Sequence, residues 1–231
     1  MSELKYTDAM DIIGGLSTPS KMPWFGWSIS AYDCITGSKL REVEGSVCED
    51  CYACKGQYVF KTCRIAHDRR KNCLDDPRFV EAFILVLTKL YERTRKTYKL
   101  RGKVVKENRF RWHDAGDLQS VEHLQMIVDI ALATPFITHW IPTREFGIVN
   151  EWLKGHEEGF PDNLVVRMSA PMKHEVFNHQ PMGLPFSTVG VSEEVMLLSD
   201  IKDCPANDNG NKCGDCNQCW NKNNNINYRL H

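Results

Sequence analysis

The sequence predicts an α/β fold built on a parallel sheet, most simply a TIM-type (β/α) barrel, complete or incomplete. Through the second half of the chain, short apolar segments typical of strands alternate with segments whose apolar residues recur at helical spacing. Such alternation favours parallel strands joined by right-handed helical crossovers. Polar residues are concentrated just beyond these strands, where α/β folds place ligand-binding groups. Cysteine-rich segments that we expect to bind metal lie on both sides of this region.

We therefore divide the 231 residues into three segments. Residues 1–76 form an irregular N-terminal segment with a cysteine cluster, residues 77–200 a barrel-like core, and residues 201–231 a cysteine-rich, metal-binding tail. Within the first segment, residues 1–32 contain Gly14-Gly15, two prolines and two tryptophans, and one short strand is expected over residues 27–32.

The core segment carries the strongest periodic patterns. A helix is expected over residues 77–98, because apolar side chains recur at helical spacing after the start signal Asp76-Pro77. A strand then begins at Arg109 and ends in His113 and Asp114. The remaining elements are expected in this order: a helix over 121–133 whose N-terminus is residues 117–120, a strand over 136–141, a helix over 147–153, and strands over 164–168 and 187–191.

The turn after the Arg109 strand has the composition of an active site. His113, Asp114 and Asp117 surround Gly116, and two carboxylates three residues apart could serve as nucleophile and general acid or base. The simpler interpretation is that Asp117 caps the following helix and Asp114 binds a backbone amide in the turn. Both interpretations remain open from the sequence.

Further polar and aromatic residues share the expected strand-end face. Glu145 is the other candidate for an acid–base role. The candidate substrate-binding residues are those at or just beyond the strand ends: Trp112, Gly116, Gln119, His139, Thr143, Arg144, Arg167 and Ser169.

The N-terminal cysteines Cys34, Cys48, Cys51 and Cys54 predict a metal site. Two overlapping Cys-x2-Cys intervals let successive thiolates converge on one metal or cluster. Four thiols would close a zinc site, whereas three would leave one iron of a four-iron cluster open to a ligand. The spacing does not choose between zinc and an iron–sulfur cluster.

The tail carries a second group, Cys204, Cys213, Cys216 and Cys219, whose intervals contain glycine and asparagine. This spacing indicates a closed four-thiolate site. We expect a structural zinc there, with a cluster as the alternative.

The composition of the chain argues against a membrane protein and against a secreted one. No apolar run approaches the length of about 20 residues that a membrane span requires, and the acidic N-terminus does not resemble a signal peptide. We therefore expect a cytoplasmic protein without membrane partners. Its ten cysteines then favour metal over disulfides, because intracellular thiols stay reduced.

The segment 89–111 is basic and contains Tyr91, Tyr98, Phe110 and Trp112. Such a segment could contact phosphates and stack on bases. The alternative is a solvated helix face followed by a loop.

Two short segments resemble the tRNA-guanine transglycosylase superfamily, whose phage relatives exchange guanine in DNA for a 7-deazaguanine. Residues 113–119, His-Asp-Ala-Gly-Asp-Leu-Gln, resemble the active-site turn of that family, and residues 141–147 resemble its Pro-Thr-Arg segment. The resemblance implies Asp114 as a catalytic carboxylate. The position of the family's nucleophilic aspartate is Thr138 here, so Asp117 or Glu145 would take that role.

A second resemblance is to short phage proteins of the "gene product" type related to radical S-adenosylmethionine partial barrels. It rests on Cys48-Glu-Asp-Cys51-Tyr-Ala, on residues 142–145 and 163–169, and on the tail. It implies a cluster on Cys48, Cys51 and either Cys34 or Cys54, with S-adenosylmethionine held by strand-end residues. The usual Cys-x3-Cys-x2-Cys spacing is absent.

Three functions follow as expectations. The first is an enzyme that exchanges guanine for a 7-deazaguanine base in nucleic acid, DNA rather than tRNA, through Asp114. The second is an iron–sulfur enzyme of the radical type. The third is a non-catalytic, zinc-stabilised nucleic-acid-binding protein. The chain is short for a full barrel, so a homo- or hetero-oligomer is compatible with each.

Overall fold

A computed structural model describes residues 4–19, 21–22, 24–100 and 108–230, with the side chains of residues 96–100 left undescribed. The helices are α1 (Tyr6–Ile12), α2 (Ile35–Leu40), α3 (Lys61–Asn72), α4 (Phe79–Leu100), α5 (Val121–Ala133), α6 (Phe146–Lys154) and α7 (Glu193–Leu198). The strands are β1 (Gly26–Trp27), β2 (Arg109–Trp112), β3 (Thr138–Thr143), β4 (Leu164–Ser169), β5 (Phe186–Val189), β6 (Ile201–Asp203) and β7 (Asn225–Tyr228).

All seven strands join one parallel sheet in the order β1-β2-β3-β4-β5-β7-β6. The α/β class and the parallel sheet expected from the sequence are therefore confirmed. Within the described residues, β1 and β6 form the two edges, so the sheet is open and a closed TIM barrel is not confirmed. The carboxyl ends of the strands lie along one edge of the sheet because every strand runs in the same direction.

One face of the sheet is buried beneath helices. Phe110 and Trp112 of β2 contact Phe83 of α4, and Trp27 of β1 contacts Phe79 at the start of that helix. All five side chains are almost fully buried. Burying one such side chain contributes about 1.5–3 kcal/mol, so this aromatic layer is a main source of stability. Ala9, Ile12 and Ile13 from the N-terminal segment join the same core.

The opposite face, which we call the tail face, carries the alternate side chains of the central strands. Trp140 of β3 contacts Trp220 with ring centroids 5.2 Å apart, and Val165 of β4 completes a small buried cluster with them. Trp220 belongs to residues 204–224, the connection between β6 and β7. Its indole Nε1 also donates to the carbonyl oxygen of Phe110 at 3.1 Å. The cysteine-rich tail therefore covers part of the sheet rather than extending away from it.

Several element boundaries differ from the sequence expectations. The strand expected over residues 27–32 is only Gly26–Trp27, because the chain turns into a short 3-10 helix at residues 31–33. The helix expected to open at residues 117–120 begins at Val121, where the Ser120 hydroxyl accepts from the His123 amide at 3.2 Å.

The third strand also differs, since it continues through Pro142. Proline is tolerated there because the register of β3 with β2 ends at Arg111 and Trp140, which leaves residue 142 with one strand neighbour. The division into three segments remains a prediction. No helix within the described residues is long and apolar enough to span a membrane.

Candidate functional site

The N-terminal cysteine loop, residues 34–54, is fixed at the carboxyl edge of the sheet. Glu145, which follows β3, accepts from the Thr36 amide at 2.8 Å and from the Thr36 hydroxyl at 2.7 Å. Beyond β4, the carbonyl oxygen of Pro171 accepts from the Val47 amide at 2.9 Å. These contacts bring all four N-terminal cysteines to the edge where the sequence places the polar residues.

Gly37 lies beside the thiols of Cys34 and Cys48. A Cβ atom at Gly37 would lie 3.6 Å from the sulfur atoms of both Cys34 and Cys48. Two successive turns bring Cys51 and Cys54 to the same region, through amide bonds from Cys51 to the Cys48 carbonyl at 3.2 Å and from Cys54 to the Cys51 carbonyl at 3.0 Å. All four cysteines are free thiols. We call this arrangement the cysteine pocket.

Positive charge lies beside the cysteine pocket. Burial raises the pKa of the Cys48 thiol, and the guanidinium of Arg144 opposes that rise. The guanidinium of Arg41 donates to the Cys54 sulfur at 2.9 Å. Burial also raises the pKa of Cys34, whose environment includes the acidic side chain of Asp117. A bound cation would remove this penalty because it favours the thiolate form.

Asp117 is bound to the end of β3. Its carboxylate accepts from the Thr143 hydroxyl at 2.6 Å and from the backbone amides of Arg144 at 2.9 Å and Leu118 at 2.8 Å. Burial raises the pKa of Asp117 to about 6, against the lowering effect of these hydrogen bonds. The expectation that Asp117 caps the helix is wrong, since Ser120 caps α5. Its carboxylate instead fixes the turn that joins β3 to α6.

Asp114 has a different environment, made of hydroxyl groups. Its carboxylate accepts from the Ser28 hydroxyl and, at 2.9 Å, from the Tyr58 hydroxyl. Its backbone carbonyl accepts from the hydroxyl of Tyr52, the residue after Cys51. Burial and then the charge of Asp114 raise the pKa of Tyr58, so this phenol stays protonated and donates. Asp114 is thus the candidate acid that lies beside the cysteine pocket, and its carboxylate is bound by side-chain hydroxyl groups.

The histidines of the expected site lie in the helix-side core. The His113 ring lies 5.2 Å from the His123 ring, and burial lowers the pKa of His113 well below its usual value. His139 accepts from the Trp112 indole at 3.2 Å and contacts the Thr134 hydroxyl at 2.9 Å. Burial lowers its pKa to about 3. The rings of His113, His139 and Trp112 therefore face the aromatic core rather than the hydroxyl groups around Asp114.

Gly116 and Gln119 hold the neighbouring backbone. Gly116 has a φ of 77°, and a Cβ there would lie 2.4 Å from the Ile29 side chain, so glycine is required for this close approach. The Gln119 side-chain amide donates to the Asp33 carbonyl at 3.1 Å and to the Asp117 carbonyl at 2.9 Å. Both residues position the start of the cysteine loop.

Arg144, Arg167 and Ser169 contact backbone or neighbouring strands. Arg144 Nε donates to the Ala170 carbonyl at 3.2 Å. Arg167 is fully buried, and its guanidinium donates to carbonyl oxygens of β5 and of the tail: Phe186, Cys219, Asn221 and Asn224. The Ser169 hydroxyl accepts from Ser187 at 3.3 Å. Arg167 thus anchors the tail.

Sequence reasoning missed Ser28, Tyr52 and Tyr58, which surround Asp114. An isolated tyrosine belongs to no recognisable motif. Tyr52, however, lies between Cys51 and Cys54 of a Cys-x2-Cys motif, and that position pointed to a place beside the thiols. Much of the basic segment 89–111 lies outside the described residues. Within the part that is described, no group of three or more His, Cys, Asp or Glu side chains is arranged to hold a metal ion. Metal binding at either cysteine group therefore remains a proposal.

The chain resembles a known protein family over most of its length. The family model described as Gene product 88 matches residues 16–222, which includes both cysteine groups and every strand end but that of β7. The chain belongs to the Gene product 88 family. No curated protein and no solved structure matches the chain. Because the family's description states no activity, the function has to be argued from the geometry of the site.

Proposed function

We propose that this member of the Gene product 88 family is an iron–sulfur enzyme of the radical S-adenosylmethionine type. The observation that carries this proposal is the cysteine pocket itself. Four free thiols lie within residues 34–54, in the loop that Thr36 and Val47 bind to the carboxyl edge of the open parallel sheet, and those of Cys34 and Cys48 lie beside Gly37. That edge is where α/β folds bind their ligands and cofactors.

The number of thiols in the cysteine pocket and the charges beside them suit an iron–sulfur cluster. Cys48 and Cys51, with Cys34 or Cys54, supply three thiolates and leave one iron free for a ligand. Arg41 and Arg144 lie beside the thiols and offset their negative charge. When bound, such a cluster supplies one electron for the reductive cleavage of S-adenosylmethionine.

The residues around Asp114 are placed to bind and orient the organic molecules. The carboxylate of Asp114 can accept hydrogen bonds from hydroxyl or amino groups of a ligand in exchange for those from Ser28 and Tyr58. Asp117 and Glu145 keep the surrounding loops in place. In this proposal Asp114 binds and positions, while the cluster supplies the electron.

Base exchange remains the alternative enzyme function, and the contacts favour it less. It needs a carboxylate at the sugar carbon and a second acid or base at the departing purine. Thr143, Arg144 and Leu118 already occupy the carboxylate of Asp117, and Thr36 occupies that of Glu145. Both carboxylates hold backbone amides, unlike that of Asp114, which accepts from the side-chain hydroxyls of Ser28 and Tyr58. Guanine, 7-deazaguanine and DNA as substrates stay predictions, as does nucleic-acid binding without catalysis.

The test is iron and sulfide analysis with visible and electron paramagnetic resonance spectra on the full chain, purified without oxygen. We expect a brown protein with about four irons per chain that yields 5′-deoxyadenosine from S-adenosylmethionine after reduction. Cys51→Ser should lose the iron. The matched control is Cys63→Ser, a half-buried thiol on α3 that should keep it.

Separate Cys34→Ser and Cys54→Ser variants identify the third ligand, because only the one that holds the cluster should lose iron. A colourless wild-type protein that carries zinc in the cysteine pocket would overturn the proposal. Such a result would leave Asp114 as the target of a base-exchange assay.

A further inference from the structure

The tail cysteines are held in place by different parts of the chain, although all four lie within residues 204–219. The Cys204 amide donates to the Asn227 carbonyl of β7 at 2.9 Å. The Cys219 sulfur lies 3.3 Å from the hydroxyl of Tyr228, the next residue of that strand. The first and last cysteines of the tail are therefore both held to β7.

Cys213 and Cys216 form a tight turn between them. The Cys216 amide donates to the Cys213 carbonyl at 3.0 Å, and the Cys213 amide donates to the Lys21 carbonyl at 2.9 Å. Arg109 of β2 donates to the Cys216 carbonyl at 3.1 Å. A Cys-x2-Cys turn directs two sulfur atoms to one point, which is why structural zinc sites use this interval.

Arginines surround the four thiols. Arg109 and Arg111 lie beside Cys213, and Arg167 lies beside Cys219. Arg229, which pairs with Asp203 and Asp208, lies beside Cys204. Four thiolates around a divalent cation carry a net charge of −2, which these guanidinium groups are placed to balance.

The tail has little apolar packing of its own. Between Cys204 and Cys219 every residue is half-buried or exposed, and the first fully buried apolar side chain is Trp220. Irregular segments longer than about 12–15 residues are uncommon in compact domains unless something orders them. Here the ordering contacts are backbone bonds to the sheet, the ion pair of Asp208 with Arg229 and the contact of Cys219 with Tyr228.

We propose that Cys204, Cys213, Cys216 and Cys219 bind one zinc ion in a closed tetrahedral site that fixes the tail against the sheet. The ion cross-links the turn at Cys213 to β7, and so holds Trp220 on Trp140. Zinc fits better than a cluster open to a ligand, because four thiolates fill all four positions of a closed tetrahedral site. This proposal is independent of the cluster in the cysteine pocket.

The experiment measures zinc and iron together in the full chain by mass spectrometry of the elements. We expect about one zinc per chain in the wild type. Cys216→Ser should lose the zinc and keep the iron, whereas Cys51→Ser should do the reverse. Cys73→Ser is the matched control. Cys73 belongs to neither group of four cysteines, so both metals should remain.

Two further measurements separate metal binding from misfolding. Cys216→His, which restores a zinc ligand, should recover the zinc content. Removing zinc from the folded wild type with a chelator should shift tryptophan emission to the red as Trp220 and Trp140 become exposed, and added zinc should reverse the shift. Zinc that stays in Cys216→Ser, or iron that leaves with it, would overturn the proposal.

Discussion

Gly37 decides whether the cysteine pocket has room for an inorganic group. Its backbone is helical and has no positive φ, so alanine is compatible with the local conformation. A methyl group there would lie 3.0 Å from the Cys34 Cβ and 3.6 Å from two sulfur atoms. The role of this glycine is therefore space at the thiols rather than backbone freedom.

We expect Gly37→Ala to lower the iron content several-fold without lowering the free energy of unfolding of the metal-free chain. Alanine in a helix is favoured over glycine by up to about 1 kcal/mol, which offsets the tight contact. Gly147→Ala, in α6 with nothing near the added carbon, is the control and should keep its iron. Full iron in Gly37→Ala would place the cluster elsewhere.

Asp114 combines a charge with hydroxyl donors, and its replacement separates the two enzyme functions. We expect Asp114→Asn to retain the iron, because Asp114 is not a ligand, and to form much less 5′-deoxyadenosine. Asp129→Asn, on the exposed side of α5, should match the wild type. The contrary outcome is a wild-type protein that contains no iron, catalyses base exchange and loses that activity in Asp114→Asn. That outcome would support the transglycosylase interpretation.

Helix α2 is short and carries the cysteine loop, yet it has no side-chain cap of its own. Glu145, which is 4% exposed, supplies two hydrogen bonds to its first turn from the end of β3. A carboxylate at a helix N-terminus stabilises the free amides and complements the helix dipole. The predicted catalytic Glu145 thus has a positioning role in the structure.

We expect Glu145→Gln to lower the free energy of local unfolding of α2 by about 2 kcal/mol, since hydrogen bonds to a charged group contribute about 1.5–3 kcal/mol. Amide hydrogen exchange in residues 35–40 should become at least about tenfold faster, because about 1.4 kcal/mol corresponds to a factor of ten. Glu151→Gln on the exposed surface of α6 is the control. Unchanged exchange in α2 would show that Glu145 is not its anchor.

Among the elements, long periodic helices were predicted well and short strands less well. The helices over residues 121–133 and 147–153 correspond to α5 and α6, because their apolar faces repeat at helical spacing. The first strand has only two residues, because Ser28 then binds Asp114 and Ser30 caps the short 3-10 helix that follows. A pattern of two residues is too short to mark a strand end.

The whole molecule is a parallel sheet with helices on one face and the tail on part of the other. Two neutral histidines, His123 and His139, lie in the helix-side core, and burial lowers the pKa of each to about 3. In the unfolded chain their pKa is about 6.5. Their stabilising contribution is therefore complete above about pH 6.5 and is lost as the pH falls toward about 3, since acid protonates the unfolded chain first.

We expect the free energy of unfolding to fall by about 1.4 kcal/mol per pH unit for each of these histidines between about pH 6 and pH 4. His139→Gln should reduce that slope in chemical denaturation, whereas the exposed His179→Gln should not. Equal slopes in the two variants would show that His139 is not held neutral in the core.

The sequence by itself determined the parallel α/β class, the position of Asp114 and Glu145 just beyond strand ends and the two cysteine groups. Periodicity and spacing are local properties, so they are visible without the fold. Only the tertiary structure decided what Asp117, Glu145 and Arg167 do. Their partners lie 26, 109 and 54 residues away, at Thr143, Thr36 and Asn221. Whether a polar side chain faces a ligand or a distant backbone depends on which groups packing brings beside it, and no local pattern contains that information.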